Sequence, residues 1–115
     1  MPSTFVFWNQ PAGFKLPAAT ISRELLYGND VEGLIDLPIK EILDRLKTEF
    51  PTAVERAGAL TGKLVGGSFE SSWSWQFIQV VCQDGTDEEH QKFCDILQEF
   101  GCPAYEPALN LRHGE

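Results

Sequence analysis

The chain has 115 residues, of which 43% are hydrophobic and 23% charged, so it is long enough to bury the core of one domain without disulfides or metals. No stretch approaches the roughly 18 apolar residues of a membrane-spanning helix, and the acidic balance of the chain opposes binding to an anionic membrane. The net charge of −8 also opposes nonspecific binding to nucleic acid, because the phosphates would meet a repelling field.

Three cysteines without a Cys-x-x-Cys spacing are typical of free thiols in a reducing compartment. The segment Met1–Trp8 has no basic flank, long apolar stretch or small-residue cleavage site, which distinguishes it from a secretory signal. We therefore expect a soluble, cytoplasmic protein that forms one domain over residues 1–115.

The first predicted element is a strand, Thr4–Trp8, which is apolar on both sides like a strand in the middle of a sheet. Residues 14–35 have a mixed pattern, in which Thr20–Tyr27 fits either a short helix or an extra strand. Gly28-Asn29-Asp30 predicts the turn that closes this element. So long a segment should carry an element of its own.

A helix is predicted to open at Pro38, which is tolerated in a first turn, and to end at Pro51. Its apolar face repeats at helical spacing and consists of Ile39, Ile42, Leu43, Leu46 and Phe50. Residues 53–62 are interpreted as another helical turn or a loop, and residues 63–70 as a strand. The pair Gly66-Gly67 in that strand predicts a bulge or a close backbone approach.

The run Trp73–Cys82 predicts one long strand with bulky apolar residues on both faces. Because side chains alternate along a strand, one face would present Trp73, Trp75, Phe77 and Val81. The opposite face would present Ile78, Val80 and Cys82. Both faces therefore need cover, from the chain's own helices, from another segment or from a partner.

A second helix is predicted to start at Thr86, because Thr86 and Glu89 have the spacing of a capping box, in which each side chain binds the other residue's backbone amide. Its buried stripe consists of Phe93, Ile96, Leu97 and Phe100. The segment Ala104–Leu111 then predicts a final edge strand, interrupted by Pro107.

The element order strand, helix, strand, strand, helix, strand matches the ferredoxin-like βαββαβ arrangement. We therefore predict an α+β two-layer sandwich, an antiparallel sheet with two helices on one face and an extra N-terminal segment. This topology places Phe5–Trp8 and Trp73–Cys82 at the centre of the sheet. The opposite sheet face would be open unless residues 10–35 fold across it or two copies pair there.

Four side chains, Cys82, His90, Cys94 and Cys102, are candidates for metal coordination. Their spacing matches no zinc finger or knuckle, and packing is the usual role of cysteine, so we predict no metal, no cofactor and no catalytic residue. An enzyme that uses Cys94 with His90 as its base is a third hypothesis.

The predicted binding surface is aromatic and consists of Trp8, Trp73, Trp75 and Phe77. The simplest interpretation is that these rings are buried, either in the core or in a homodimer contact, since large aromatic residues usually are. Aromatic rings on a sheet also stack nucleobases, but the acidic charge leaves no basic track for a phosphate backbone. We therefore predict a non-catalytic interaction or ligand-binding module that does not bind nucleic acid.

The acidic charge lies mainly in the C-terminal half, since residues 1–69 hold eight acidic and seven basic side chains, whereas residues 70–115 hold nine acidic and two basic ones. The simplest interpretation is a solvated helix face that keeps the protein soluble. The alternative is an inhibitor of a basic partner, such as a nuclease toxin, steered by an acidic patch. That patch would consist of Glu88, Glu89, Asp95 and Glu99.

The segment Phe100–Pro107 resembles the helix-to-strand tail, ending in tyrosine, an acid and proline, of small uncharacterised bacterial domains. Some of these domains are suspected toxin-immunity proteins, so the resemblance implies a bacterial origin and favours the inhibitor alternative. Ala108 stands where that tail has glutamine, and the resemblance assigns no functional residue.

Overall fold

One antiparallel sheet and three helices make up the computed structural model, which describes residues 2–112. The strands are β1 (Pro2–Trp8), β2 (Val54–Arg56), β3 (Ala59–Leu64), β4 (Gly67–Trp73), β5 (Phe77–Gln83), β6 (Ala104–Glu106) and β7 (Leu111–Arg112). The helices are α1 (Ala18–Leu26), α2 (Ile39–Glu49) and α3 (Asp87–Glu99). The strands lie in the order β2-β3-β4-β5-β1-β6-β7, and every neighbouring pair is antiparallel.

Both faces of the central strand β1 are buried, by different parts of the chain. Alternation sends Phe5 and Phe7 to the face covered by α2 and α3, and Val6 and Trp8 to the face covered by α1. Full burial of a phenylalanine such as Phe7 stabilises the fold by about 1.5–3 kcal/mol. Of the two alternatives for covering the second sheet face, residues 10–35 therefore fold across the part of that face near β1.

The helices lie where the sequence predicted helical segments. Helix α1 confirms the helical interpretation of residues 20–27, and α2 lies within the predicted helix. The capping box of α3 is present: Glu89 N–H donates to Thr86 Oγ1 (3.1 Å), and Thr86 N–H donates to Glu89 Oε1 (2.9 Å). The α+β class and the placement of two helices on one side of an antiparallel sheet are therefore confirmed.

The prediction of a single strand over residues 73–82 is wrong, because the chain reverses direction within it. Strand β4 ends at Trp73, β5 begins at Phe77, and Ser74 N–H donates to the Phe77 carbonyl (3.0 Å) to close the turn. Trp73 consequently pairs in register with Ile78 across the hairpin. The apolar residues on both sides of the short turn made two strands look like one.

Residues 53–70 also differ from the prediction, because they form hairpins and not a turn followed by one strand. Strands β2 and β3 are joined by Ala57-Gly58, whose φ angles of 51° and 79° are those of a two-residue hairpin turn. Strands β3 and β4 are joined by Val65-Gly66. A Cβ at Gly67 would collide with the Gln83 carbonyl oxygen, so the predicted close backbone approach at the glycine pair is confirmed.

The turn between β4 and β5 is held by the loop that follows α1. Gln76 is only 3% exposed, and its side-chain amide accepts from Val31 N–H (2.8 Å) and donates to the Val31 carbonyl (2.9 Å). Trp75 Nε1–H donates to Asp30 Oδ1 (2.9 Å), and Leu37 N–H donates to the Trp75 carbonyl (2.9 Å). These bonds join residues 30–37 to the sheet.

We expect Gln76→Ala to lower the free energy of unfolding by about 1–3 kcal/mol, because it leaves the buried N–H of Val31 without its acceptor and removes one of the two donors to the Val31 carbonyl. Gln98→Ala is the matched control, since Gln98 is exposed on α3 and its truncation should cost less than about 0.5 kcal/mol. Urea denaturation measures both free energies. Equal losses in the two variants would show that the Gln76 bonds do not hold the turn.

Candidate functional site

Part of the sheet face on the α1 side is uncovered, and we call this part the open face. Register and alternation place on it Val54, Arg56, Thr61, Lys63, Ser68, Glu70, Val81 and Gln83. Pairing in register continues from Val54 through Thr61 and Glu70 to Val81, so these side chains form one row across β2 to β5.

The open face is uncovered because α1 is too short to reach it. Helix α1 has nine residues, or about 14 Å at 1.5 Å per residue. The apolar side chains of α1 and of the loop after it cover the end of the sheet that holds Trp8 and Phe77. Val81 lies on the same side of β5 as Phe77 but four residues further along, or roughly 13 Å away. The cover therefore stops before the row that contains Val81.

A shallow groove of about 530 Å³ runs along the open face. Thr52 borders the groove, and its Oγ1 accepts from the backbone N–H of Lys63 (3.0 Å). Within residues 2–112, no side-chain hydrogen bond or ion pair engages the Lys63 ammonium or the Glu70 carboxylate. Val54, at 47% exposure, and Val81 provide aliphatic carbon in a lining that also carries hydroxyl, amide and charged groups.

The four residues of the predicted aromatic surface do not lie together. Trp8 and Phe77 are buried beneath residues 10–35, with exposures of 0% and 9%. Trp73 lies on the other sheet face, half-buried against the core beneath α2 and α3. Trp75 lies in the β4–β5 turn, 50% exposed and hydrogen-bonded to Asp30. The hairpin thus separates the rings that a single strand would have aligned.

Glu89, one of the four predicted acidic-patch residues, has a structural role. Its carboxylate closes the capping box with Thr86 and also accepts from Val65 N–H (3.1 Å), which ties the start of α3 to the β3–β4 turn. Burial raises the pKa of Glu89, which is the largest single effect. The hydrogen bonds from the amides of Thr86 and Val65 together outweigh it, so the pKa of Glu89 lies below its ordinary value.

The other three patch residues lie on α3 in different surroundings. Glu99 binds the Arg45 guanidinium (3.2 Å), and Asp95 accepts from the Gln91 side chain (2.9 Å). Glu88 and Asp95 are exposed, and neither has a basic partner among residues 2–112. The acidic surface available to a partner is therefore smaller than the predicted patch.

His90 and Cys94 line a separate cleft of about 360 Å³ beside α3. The His90 ring packs edge-on against Phe5 with centroids 5.8 Å apart, and its Nε2 lies 2.9 Å from the Asp84 carbonyl oxygen. Burial, followed by nearby carboxylates, raises the pKa of Cys94 to about 11. The thiol is protonated at neutral pH, which does not favour the hypothesis of a cysteine nucleophile.

The remaining metal-ligand candidates, Cys82 and Cys102, are buried in the core beneath α2 and α3. Burial raises the pKa of each thiol to about 12. Across residues 2–112, no group of three or more potential ligands is arranged to hold a metal ion. The structure therefore does not assemble the four predicted candidates into a metal site.

The open face is not predicted from the sequence, because the pattern of residues 53–62 indicates another helical turn or a loop. A two-residue period was nevertheless present: Leu60 and Leu64 alternate with Thr61 and Lys63. The dipeptide Ala57-Gly58, between two such runs, is also compatible with a hairpin turn. Together these signals indicate strand β3 and its polar side.

We expect iodoacetamide to alkylate Cys94 slowly near neutral pH and progressively faster as the pH approaches about 11, since only the thiolate reacts. A catalytic Cys–His pair would instead react quickly, with an inflection near the histidine pKa of about 6.5. Mass spectrometry of the labelled peptide measures the rate. His90→Gln should leave the rate unchanged, and a large decrease would revive the enzyme hypothesis.

Between residues 2 and 112, none of the helices has both the length and the apolar character to cross a bilayer. No protein-family model matches the chain, and no curated protein matches it. What the protein does must therefore be inferred from its own surfaces.

Proposed function

We propose that this protein is a non-catalytic interaction module and that the open face is its binding surface. The proposal rests on one observation, which is that residues 10–35 cover one part of the sheet face on the α1 side and leave the adjoining part exposed. Residues 10–35 bury Trp8 and Phe77, whereas the next rows of the same face remain exposed around a groove. A groove that combines aliphatic carbon, hydrogen-bonding groups and one charge of each sign has the mixed composition of a protein–protein interface.

The shape of the open face favours a protein partner over a small molecule. Small-molecule sites enclose roughly 70–90% of their ligand. The groove is bordered by exposed strand side chains such as Thr61 and Ser68, and none of the three helices formed by residues 2–112 lies over it to enclose a ligand. A second protein surface could cover the whole face at once.

We also propose that β4, β5, β1 and β6, together with α2 and α3, form a ferredoxin-like unit. Their order in the sheet, their antiparallel pairing and the packing of α2 and α3 on one face support this description. Strands β2 and β3 then extend one edge, and the open face lies opposite the helices on that extended side. The free thiols of Cys82, Cys94 and Cys102 support a cytoplasmic site of action.

A photo-crosslinking amino acid placed at Thr61, on the central row of the open face, should form a covalent adduct with the partner when the chain is expressed in its source cells. Lys40 is the matched control position, because it is exposed on α2 and away from the open face. Gel electrophoresis and mass spectrometry measure the adducts. Adducts at Thr61 but not at Lys40 are expected, and equal labelling at the two positions would overturn the proposal.

A second candidate function, inhibition of a basic protein, is favoured by the charges on α3. Glu88 and Asp95 are exposed without a basic partner among the described residues, whereas Lys92 of the same helix binds Glu49 (3.5 Å). A basic surface approaching this helix would meet unneutralised carboxylates, which accelerate association at low salt.

The same crosslinker at Glu88 tests this second function. A basic partner should be captured there, and adduct formation should fall as the salt concentration rises, because screening weakens the attraction. Asp95→Asn should lower the association rate of that partner, and Gln98→Ala, which changes no charge, should not. A salt-independent adduct would count against inhibition through α3.

A further inference from the structure

We infer that the partner of the open face is a second copy of this chain, so that the protein forms a symmetric dimer through this surface. The inference rests on the proposed function and names the occupant of the same site. Three features of the open face support it: self-complementary charges, a local charge that differs from that of the whole chain, and its position relative to α3.

The charges of the open face complement a copy of themselves. Lys63 pairs in register with Ser68, and Glu70 pairs with Thr61, so the two charges lie in adjacent rows on neighbouring strands. A two-fold axis in the plane of the interface, passing between them, places Lys63 of each copy opposite Glu70 of the other. Such an interface uses the same patch twice and closes after two copies.

The open face also lacks the negative charge that dominates the rest of the chain. The chain carries a net charge of −8, but the face carries Arg56 and Lys63 against Glu70, which is two positive charges and one negative charge, or +1. The carboxylates of α3 lie on the other side of the sheet. Two sheets stacked about 10 Å apart would hold the two α3 helices well beyond the Debye length of about 8 Å.

The size of the open face indicates a weak dimer. Four strands at about 4.8 Å spacing and three rows at about 6.8 Å spacing cover roughly 400 Å² per copy. This area is about half of the roughly 800 Å² that each partner contributes to a standard interface. We therefore expect an equilibrium between monomer and dimer that depends on protein concentration.

Sedimentation equilibrium of the full chain over a wide concentration range tests the dimer. The wild-type protein should shift from monomer towards dimer as the concentration rises. Lys63→Glu should abolish the shift, because it places glutamate opposite Glu70 of the other copy. The double variant Lys63→Glu/Glu70→Lys should restore the shift, since it re-creates the same pair with reversed signs. Lys40→Glu adds the same charge away from the face and should leave the shift unchanged.

Circular dichroism of each variant verifies that it is folded, so that a lost dimer reports on the interface. The inference is overturned if the wild-type protein is monomeric at every concentration, if Lys63→Glu and Lys40→Glu behave alike, or if the double variant stays monomeric. A monomer whose Thr61 crosslinks to a different protein overturns the dimer and keeps the interaction module. A monomer without specific Thr61 adducts overturns both.

Discussion

The antiparallel pairing of β1 with β5 is the constraint on which the rest of the structure depends, because the paired ends of the two strands, which hold Trp8 and Phe77, are apolar on both sides. A pair of this kind needs cover on two faces at once. Helices α2 and α3 provide it on one face, over β1 and the strands from β3 to β6. On the other face, within residues 2–112, α1 and its loops provide most of the cover, which ends after the rows that hold Trp8 and Phe77.

The open face begins where the cover by α1 and its loops ends. Along β5, the residues on the α1 side are Phe77, Gln79, Val81 and Gln83, so a buried ring gives way to an alternation of amide and aliphatic groups. A side chain such as Gln83 costs little free energy in water, and the sheet tolerates its exposure. The same amide and aliphatic groups can exchange water for a protein partner, which supports the proposal that this face is a binding surface.

Several residues whose side chains could bind a ligand or react stabilise the fold instead. Glu89 has its oxygens bound by backbone amides, and Gln76 is bound to both backbone groups of Val31. Cys94 is partly buried beside carboxylates, which keeps its thiol protonated. These groups have bonding partners within the fold. The Lys63 ammonium on the open face has no side-chain partner among residues 2–112, which agrees with the proposed binding role of that face.

Local signals in the sequence determined the helices and the capping box, because helix start and apolar spacing depend on residues within a few positions of each other. The tertiary structure alone decided the turn at residues 74–76, since Gln76 is held by Val31, 45 positions away. It also decided the open face, because the row from Val54 to Val81 exists only once four strands are in register. Alternation along one strand is local, but what covers each side depends on contacts between segments distant in sequence.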